Sequence, residues 1–136
     1  VILIDDYGHH TLEIESNIQA YKEEYPKKKV CMIFQPHRFS RTAQLFDDFV
    51  RVLNKTDSLI LLDIYSASEQ PIRGIHSRTI SESVKQLGHK DVTYLKTHNE
   101  AINLIGDKKD SFDILVTQGA GSVSKVCESI KDKWSK

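Results

Sequence analysis

The sequence predicts an α/β protein: a three-layer α/β/α, Rossmann-like domain built on a mainly parallel five-stranded sheet. Five short apolar runs alternate with segments whose apolar residues recur every three to four positions, the pattern of successive βαβ units. With 136 residues, 39% of them hydrophobic, the chain can bury one core and is too short for two ordinary domains. Its unusual polar residues also gather where apolar runs end and helical segments begin, the edge at which open parallel sheets bind ligands.

Residues 1–5 form the first expected strand, an apolar run without alternation that suits a parallel strand covered on both faces. Ile14, Ile18 and Tyr21 then mark one face of a helix. Residues 29–34 and 58–64 repeat the strand pattern, and between them Leu45, Phe49, Val52 and Leu53 return to helical spacing. Runs at 92–95 and 112–117 complete the five strands. Further helices are expected at 78–87, 98–105 and 121–134, with Ser77 and Thr97 as caps of the first two. The longest irregular stretch, residues 66–76, is of a length that often carries function in a compact domain. Because Val1 already falls inside a strand, the chain reads as a piece of a longer protein.

Lysine and arginine together number 19, and so do aspartate and glutamate. No bulk attraction to nucleic acid or to an anionic membrane is therefore expected, and any anion binding must be local. Cys31 in a strand-like run and Cys127 in a helix-like one suit reduced, buried thiols better than a disulfide framework. No apolar stretch approaches the roughly 20 residues that span a bilayer, so a soluble, cytoplasmic protein is expected.

Four junctions carry the candidate chemistry. The first is Asp5-Asp6-Tyr7-Gly8-His9-His10, and the second is Gln35-Pro36-His37-Arg38-Phe39-Ser40-Arg41. The third is Tyr65-Ser66-Ala67-Ser68-Glu69, and the fourth, after the last strand, is Gln118-Gly119-Ala120-Gly121. Arg38 and Arg41, three apart at a helix start, suit a carboxylate or phosphate, with backbone N–H groups of the helix end assisting. Two solvated arginines, or an Arg38–Asp5 ion pair, are the plainer alternatives. Gly119 and Gly121 permit a tight turn with close backbone approach, either to an anion or to a neighbouring chain segment. The chain contains neither G-x-G-x-x-G nor G-x-x-x-x-G-K-[ST]. Asp6 can accept from ribose hydroxyls or cap the following helix. His9, His10 and His37 with Asp5 or Asp6 match no familiar zinc spacing, so no metal site is assigned. His9 is instead read as a substrate or nucleotide contact. His76, His89 and His98 look like surface residues, and Trp134 an anchor for the last helix.

Taken together, D-D-Y-G-H-H, F-Q-P-H-R-F-S-R-T, Y-S-A-S-E-Q-P-I-R-G and Q-G-A-G resemble the carboxyl-terminal domain of the UDP-N-acetylmuramate:L-alanine ligases, across the whole chain and in order. The resemblance implies that residues 1–136 are one domain of a three-domain enzyme whose UDP-sugar and central ATPase domains are absent. It implies strand order 1-5-2-3-4, with an antiparallel edge strand preceding the first. The implied reaction joins L-alanine to UDP-N-acetylmuramate through an acyl phosphate, in bacterial peptidoglycan synthesis. ATP and Mg2+ would be held mainly by the central domain, and the isolated chain is expected to be inactive. By resemblance, Asp6 and His9 contact the nucleotide. Tyr7, His37, Arg38 and Arg41 line the pocket where the amino acid and the muramyl carboxylate meet. Glu69 and Gly119 match family motifs without an assigned step. One departure stands out: Thr11 and Leu12 replace the usual proline and threonine, and Thr11 is expected to cap the helix instead. Two other readings remain open: a stand-alone nucleotide- or anion-binding module without catalysis, and a metal-dependent hydrolase using His9, His10 and His37.

Overall fold

The computed structural model describes residues 1–135. Five strands, β1 (Ile2–Asp6), β2 (Val30–Phe34), β3 (Ser58–Leu62), β4 (Val92–Leu95) and β5 (Ile114–Gln118), form one sheet in the order β1-β5-β2-β3-β4. Every pairing is parallel. The expected architecture and strand order are thus those observed. The register aligns Asp6 of β1 and Phe34 of β2 with the same residue of β5, Gln118. The first, second and last junctions therefore leave the sheet at one level.

Helices cover both faces, giving the three layers. On one side α1 (Thr11–Glu24), α3 (Phe46–Leu53) and α4 (Ser77–Gln86) bury Ile14, Ile18, Phe49, Val52, Leu53, Ile80 and Val84 against Met32, Phe34, Leu59, Leu61 and Val116. On the other side α5 (His98–Asp107) and α6 (Ser124–Trp134) pack Ala101, Ile105, Val126 and Ile130 on Cys31, Ile33, Ile60, Leu62 and Leu115. Neighbouring strand residues thus enter opposite cores, which is why β2 reads as an unbroken apolar run and β3 and β5 nearly so. Removing each such side chain from water contributes roughly 1.5–3 kcal/mol before the cost of ordering the chain. Cys31 and Cys127 are both buried free thiols. Burial pushes the Cys31 thiol up to about 11, so it behaves as a small apolar group. No helix among the described residues is long and apolar enough to cross a membrane.

Several local expectations are corrected. β1 is a half-buried edge strand, with Ile2 and Asp5 exposed, rather than one covered on both faces. The helical segment around Leu45 divides there into a short α2 (Phe39–Gln44) and α3, with Leu45 ending one helix and leading into the next. α1 is capped by His10, whose Nδ1 accepts from Leu12 N, while Thr11 is buried. Glu13 closes the reciprocal bond to the His10 N–H at 3.1 Å. Likewise His76, not Ser77, caps α4 through Nδ1, and the buried Ser77 hydroxyl donates to the Leu62 carbonyl at the end of β3. An imidazole with a free lone pair serves here as a Ser or Asp cap would. Thr97 caps α5 as expected, with Glu100 completing a capping box. α6 starts at Ser124, three residues later than expected, because the intervening turn is held by a side chain from β2's end.

Candidate functional site at the carboxyl edge of the sheet

The four junctions meet through two buried glutamines that end their strands. Gln118 is fully buried, and its Nε2 donates to Gly8 O at 2.7 Å and to Asp6 Oδ1 at 3.1 Å, tying the first junction to the last. Gln35 Oε1 accepts from Val123 N at 2.9 Å, and its amide reaches Ser122 Oγ, tying the second to the last. The third is joined to the second by backbone bonds, Arg38 N to Tyr65 O at 2.7 Å and Tyr65 N to Pro36 O at 2.8 Å. These bonds form an isolated parallel bridge between His37 and Tyr65 that prolongs the β2–β3 pairing. Gln35 and Gln118 are functional-site residues that the sequence reading left without a role. The available signal was an amide side chain at the end of a largely apolar strand, where solvation is lost and a partner is obligatory.

The glycines decide how closely these loops approach. At Gly119, with φ +141°, a β-carbon would lie 2.7 Å from the Gln35 carbonyl oxygen. At Gly121 it would lie 2.7 Å from both Gln35 Oε1 and Tyr65 Cγ. Of the two roles open to the Gly-Ala-Gly turn, close packing on a neighbouring chain segment is the one seen.

Above this floor runs a row of rings. Tyr7 and His9 meet edge-on with centroids 6.0 Å apart, His9 and His37 lie at 5.5 Å, and His37 stacks on Tyr65 at 5.5 Å and 14°. Tyr7 is 74% exposed, which leaves its ring and hydroxyl open to a ligand. Arg41 Nη1 reaches His37 Nδ1 at 3.3 Å. Arginine only donates, so this nitrogen accepts and the ring proton resides on Nε2. Burial, His9, Arg41 and Arg38, in that order, lower the His37 pKa, so the ring is neutral at pH 7. Arg38 is exposed, and its backbone is left-handed with φ 74°. Among the described residues neither arginine is paired with a carboxylate, and the alternative Arg38–Asp5 pair does not form. Asp5 instead accepts from Thr117 Oγ1 at 2.8 Å.

Asp6 does not cap α1. Its Oδ1 accepts from Gly8 N at 2.8 Å and from Gln118, while Oδ2 has a single long contact, 3.4 Å from the Tyr21 hydroxyl. Oδ2 thus retains acceptor capacity, and His9 Nδ1 is a buried polar atom without a partner. The Asp6 carboxylate can thus accept from a hydroxyl- or N–H-bearing ligand such as a nucleoside. His10 is engaged at the α1 cap, and no three His, Cys, Asp or Glu side chains cluster as metal ligands among the described residues. The anion site expected at the helix start is also altered, because the N–H of Ser40 in α2 is already taken by Glu69.

The other histidines are not idle surface groups. His89 Nδ1 accepts from Asp91 N and its Nε2 meets Thr56 Oγ1. His98 Nε2 meets Ser122 Oγ at 3.1 Å, and His76 packs edge-on against Tyr94. Trp134 packs at the margin of the second core beneath the Lys109 ammonium, 4.6 Å from the ring centroid, as an anchor would.

The fold and the edge together define a parallel α/β domain whose histidines and arginines gather at the carboxyl side of the sheet, where such sheets bind ligands. Residues 1–121 match the family of the Mur ligase, glutamate ligase domain, and the chain belongs to that family as a Mur ligase carboxyl-terminal domain. Among solved structures it is similar to UDP-N-acetylmuramate-alanine ligase MurC from Thermotoga maritima, with 24% identity and TM-score 0.75, over 98% of this chain and 26% of that one. It is similar to the murein peptide ligase of Psychrobacter arcticus at 13% identity and TM-score 0.73, over 96% of this chain and again 26% of that one. A domain ascribed to a UDP-N-acetylmuramate:L-alanyl-γ-D-glutamyl-meso-diaminopimelate ligase of Haemophilus ducreyi matches at 15% identity and TM-score 0.68, over 96% of this chain and 89% of that one. The chain thus spans about a quarter of the two longer ligases, and at these identities the likeness shows the shared fold.

Proposed function

We propose that this chain is the carboxyl-terminal domain of an ATP-dependent, ADP-forming ligase that joins L-alanine to UDP-N-acetylmuramate in bacterial peptidoglycan synthesis. The observation that carries the reading is the convergence of Tyr7, His9, His37 and Arg41 at one sheet edge, with Arg38 and Arg41 free of carboxylate partners among the described residues. The full reaction activates the lactyl carboxylate as an acyl phosphate, which the alanine amine attacks; the tetrahedral intermediate then expels phosphate. Each species is anionic or develops negative charge, which unpaired guanidinium groups orient and stabilise. Arg38 and Arg41 would hold the carboxylates of the amino acid and the muramyl group, with Tyr7 and His37 as walls. His37, accepting from Arg41 at Nδ1, has an Nε2–H to donate to an oxyanion. Asp6 would accept from the ribose hydroxyls, and His9 would contact the nucleotide.

ATP phosphates and Mg2+, which neutralises phosphoryl charge when bound, would be held mainly by the central domain of the full-length protein, the UDP sugar by a third. The chain alone is then inactive, since it holds no G-x-x-x-x-G-K-[ST] segment. A protein carrying the other two domains, mixed with this chain, is expected to make UDP-N-acetylmuramyl-L-alanine, and Arg38→Ala to slow that synthesis by roughly a hundredfold. Product formed only with L-alanyl-γ-D-glutamyl-meso-diaminopimelate, the peptide in the name of the Haemophilus ducreyi ligase, would replace L-alanine as the substrate. No product with either, from a covalently linked full-length protein, would favour a binding module without catalysis.

A further inference from the structure

The second junction carries a conformational anomaly that the substrate contacts alone do not explain. Arg38 has φ 74° and ψ 141°, a region that costs a non-glycine residue on the order of 1–3 kcal/mol and persists only where its surroundings impose it. Three elements impose it here. The Arg38 N–H donates to Tyr65 O at 2.7 Å, from the loop after β3. The Arg38 carbonyl accepts twice from Thr42, from its N–H at 3.2 Å and from its buried hydroxyl at 2.7 Å. The third restraint comes from Glu69 in the same loop as Tyr65: its Oε1 accepts from Ser40 N at 3.0 Å, and its Oε2 from the Ser40 hydroxyl.

Arg38 has no side-chain bond of its own to begin α2, so Glu69 supplies the cap from 29 residues away. Its neighbours Ala67 and Ser68 also have positive φ, at 50° and 72°, which turns the loop back so that the carboxylate reaches Ser40. We propose that Glu69 is a positioning residue for the anion-binding arginines: by capping the first turn of α2 it holds Arg38 in its left-handed backbone and Arg41 against His37. This rests on the ligase reading above, and it gives the loop between β3 and α4 a task that the resemblance left unassigned. The carboxylate acts on the backbone of α2 and reaches substrate only through Arg38 and Arg41. A misplacement of about 1 Å at such a group can cost around a hundredfold in rate, so losses of tenfold or more are expected from losing the cap.

The test uses the full-length protein with Glu69→Ala, Glu69→Gln, Arg38→Ala and the Glu69→Ala/Arg38→Ala pair. Glu69→Ala should lower kcat/KM for the anionic acceptor substrate by roughly tenfold or more. Glu69→Gln, which keeps one acceptor oxygen, should recover most of that loss. In the Arg38→Ala background, Glu69→Ala should cost clearly less than it does in the wild type, because one of the two arginines it positions is gone. Independent, multiplying losses would mean that Glu69 acts as general scaffolding and would overturn the proposal. The contact is read separately in this chain by NMR: the Ser40 amide resonance should follow the ionisation of Glu69, and should cease to do so in Glu69→Gln. A Ser40 amide indifferent to pH would overturn the proposal whatever the kinetics. A wild-type protein that makes no product, with Ser40 titrating as expected, would overturn the ligase reading on which the positioning role rests while leaving the cap in place.

Discussion

Arg41 donates its guanidinium N–H to His37 Nδ1 across 3.3 Å, an unusual pairing of a fixed cation with an imidazole. The contact exists only while the ring is neutral, since a protonated Nδ1 has no lone pair to offer.

The Arg41→Ala substitution is therefore expected to raise the titration midpoint of His37 toward the ordinary histidine value, followed by NMR of the ring proton. Burial is the first cause of the lowered pKa, so the midpoint should recover only in part. A midpoint unchanged or further lowered would show that Arg41 does not influence the ring. The linkage has a definite sign. The folded-state pKa lies below the unfolded value near 6.5, so the unfolded chain takes up the proton first and stability falls as pH drops through that window. Arg41→Ala should flatten this dependence.

Gly119→Ala and Gly121→Ala each place a methyl group 2.7 Å from Gln35 atoms, and the first meets backbone at positive φ. Both should destabilise by roughly 1–3 kcal/mol, Gly119→Ala more than Gly121→Ala, in urea unfolding. Gly106→Ala, on α5 with nothing within 4 Å of its β-carbon, should instead stabilise by about 0.5–1 kcal/mol. Equal effects at all three sites would contradict the packing role of the turn.

Gln118→Leu keeps the apolar volume but leaves Gly8 O and Asp6 Oδ1 without the amide donor. A loss of about 1–3 kcal/mol is expected, with faster hydrogen exchange at the Gly8 amide, which the freed Asp6 carboxylate holds less firmly. Unchanged stability together with unchanged exchange at Gly8 would show that the junctions are held by backbone pairing alone.

Lys108 on the α5 side reaches Asp91 at 2.9 Å and Ser58 Oγ at 3.2 Å. Burial raises the Asp91 pKa, but the bonds from Lys108 and Ser58 outweigh it and leave the carboxyl below its ordinary range. Because the folded-state pKa is depressed, the stabilisation is present above the unfolded value and is lost as pH falls through the folded one. Lys108→Met should cost at most about 1 kcal/mol at pH 7, the pair being partly exposed, and clearly less at pH 2. A deficit as large at pH 2 as at pH 7 would assign the effect to packing.

Local pattern carried the fold a long way. β2, β3 and β5 are each five buried residues, and a run of that kind between helical segments has few destinations other than the centre of a parallel sheet. The Thr97 cap was legible from spacing, and Tyr7, His9, His37, Arg38 and Arg41 were legible as unusual residues at strand ends, where the structure gathers them at one edge of the sheet. The caps at His10 and His76 were not, because an imidazole becomes an acceptor only in a particular rotamer and tautomer, which composition does not encode.

What the chain order alone settled is the class of structure and the edge on which chemistry gathers, since both follow from short-range periodicity and from parallel strands having one carboxyl side. The contacts that shape the site depend on residues far apart in sequence. Glu69 caps a helix 29 residues earlier, Gln118 binds Gly8 across 110 residues, and Gly121 is glycine because Tyr65 lies where its β-carbon would be. Such pairings exist only once β1, β5, β2 and β3 lie side by side in register, because strand neighbours are chosen by the burial of the whole sheet and not by the residues adjoining each strand.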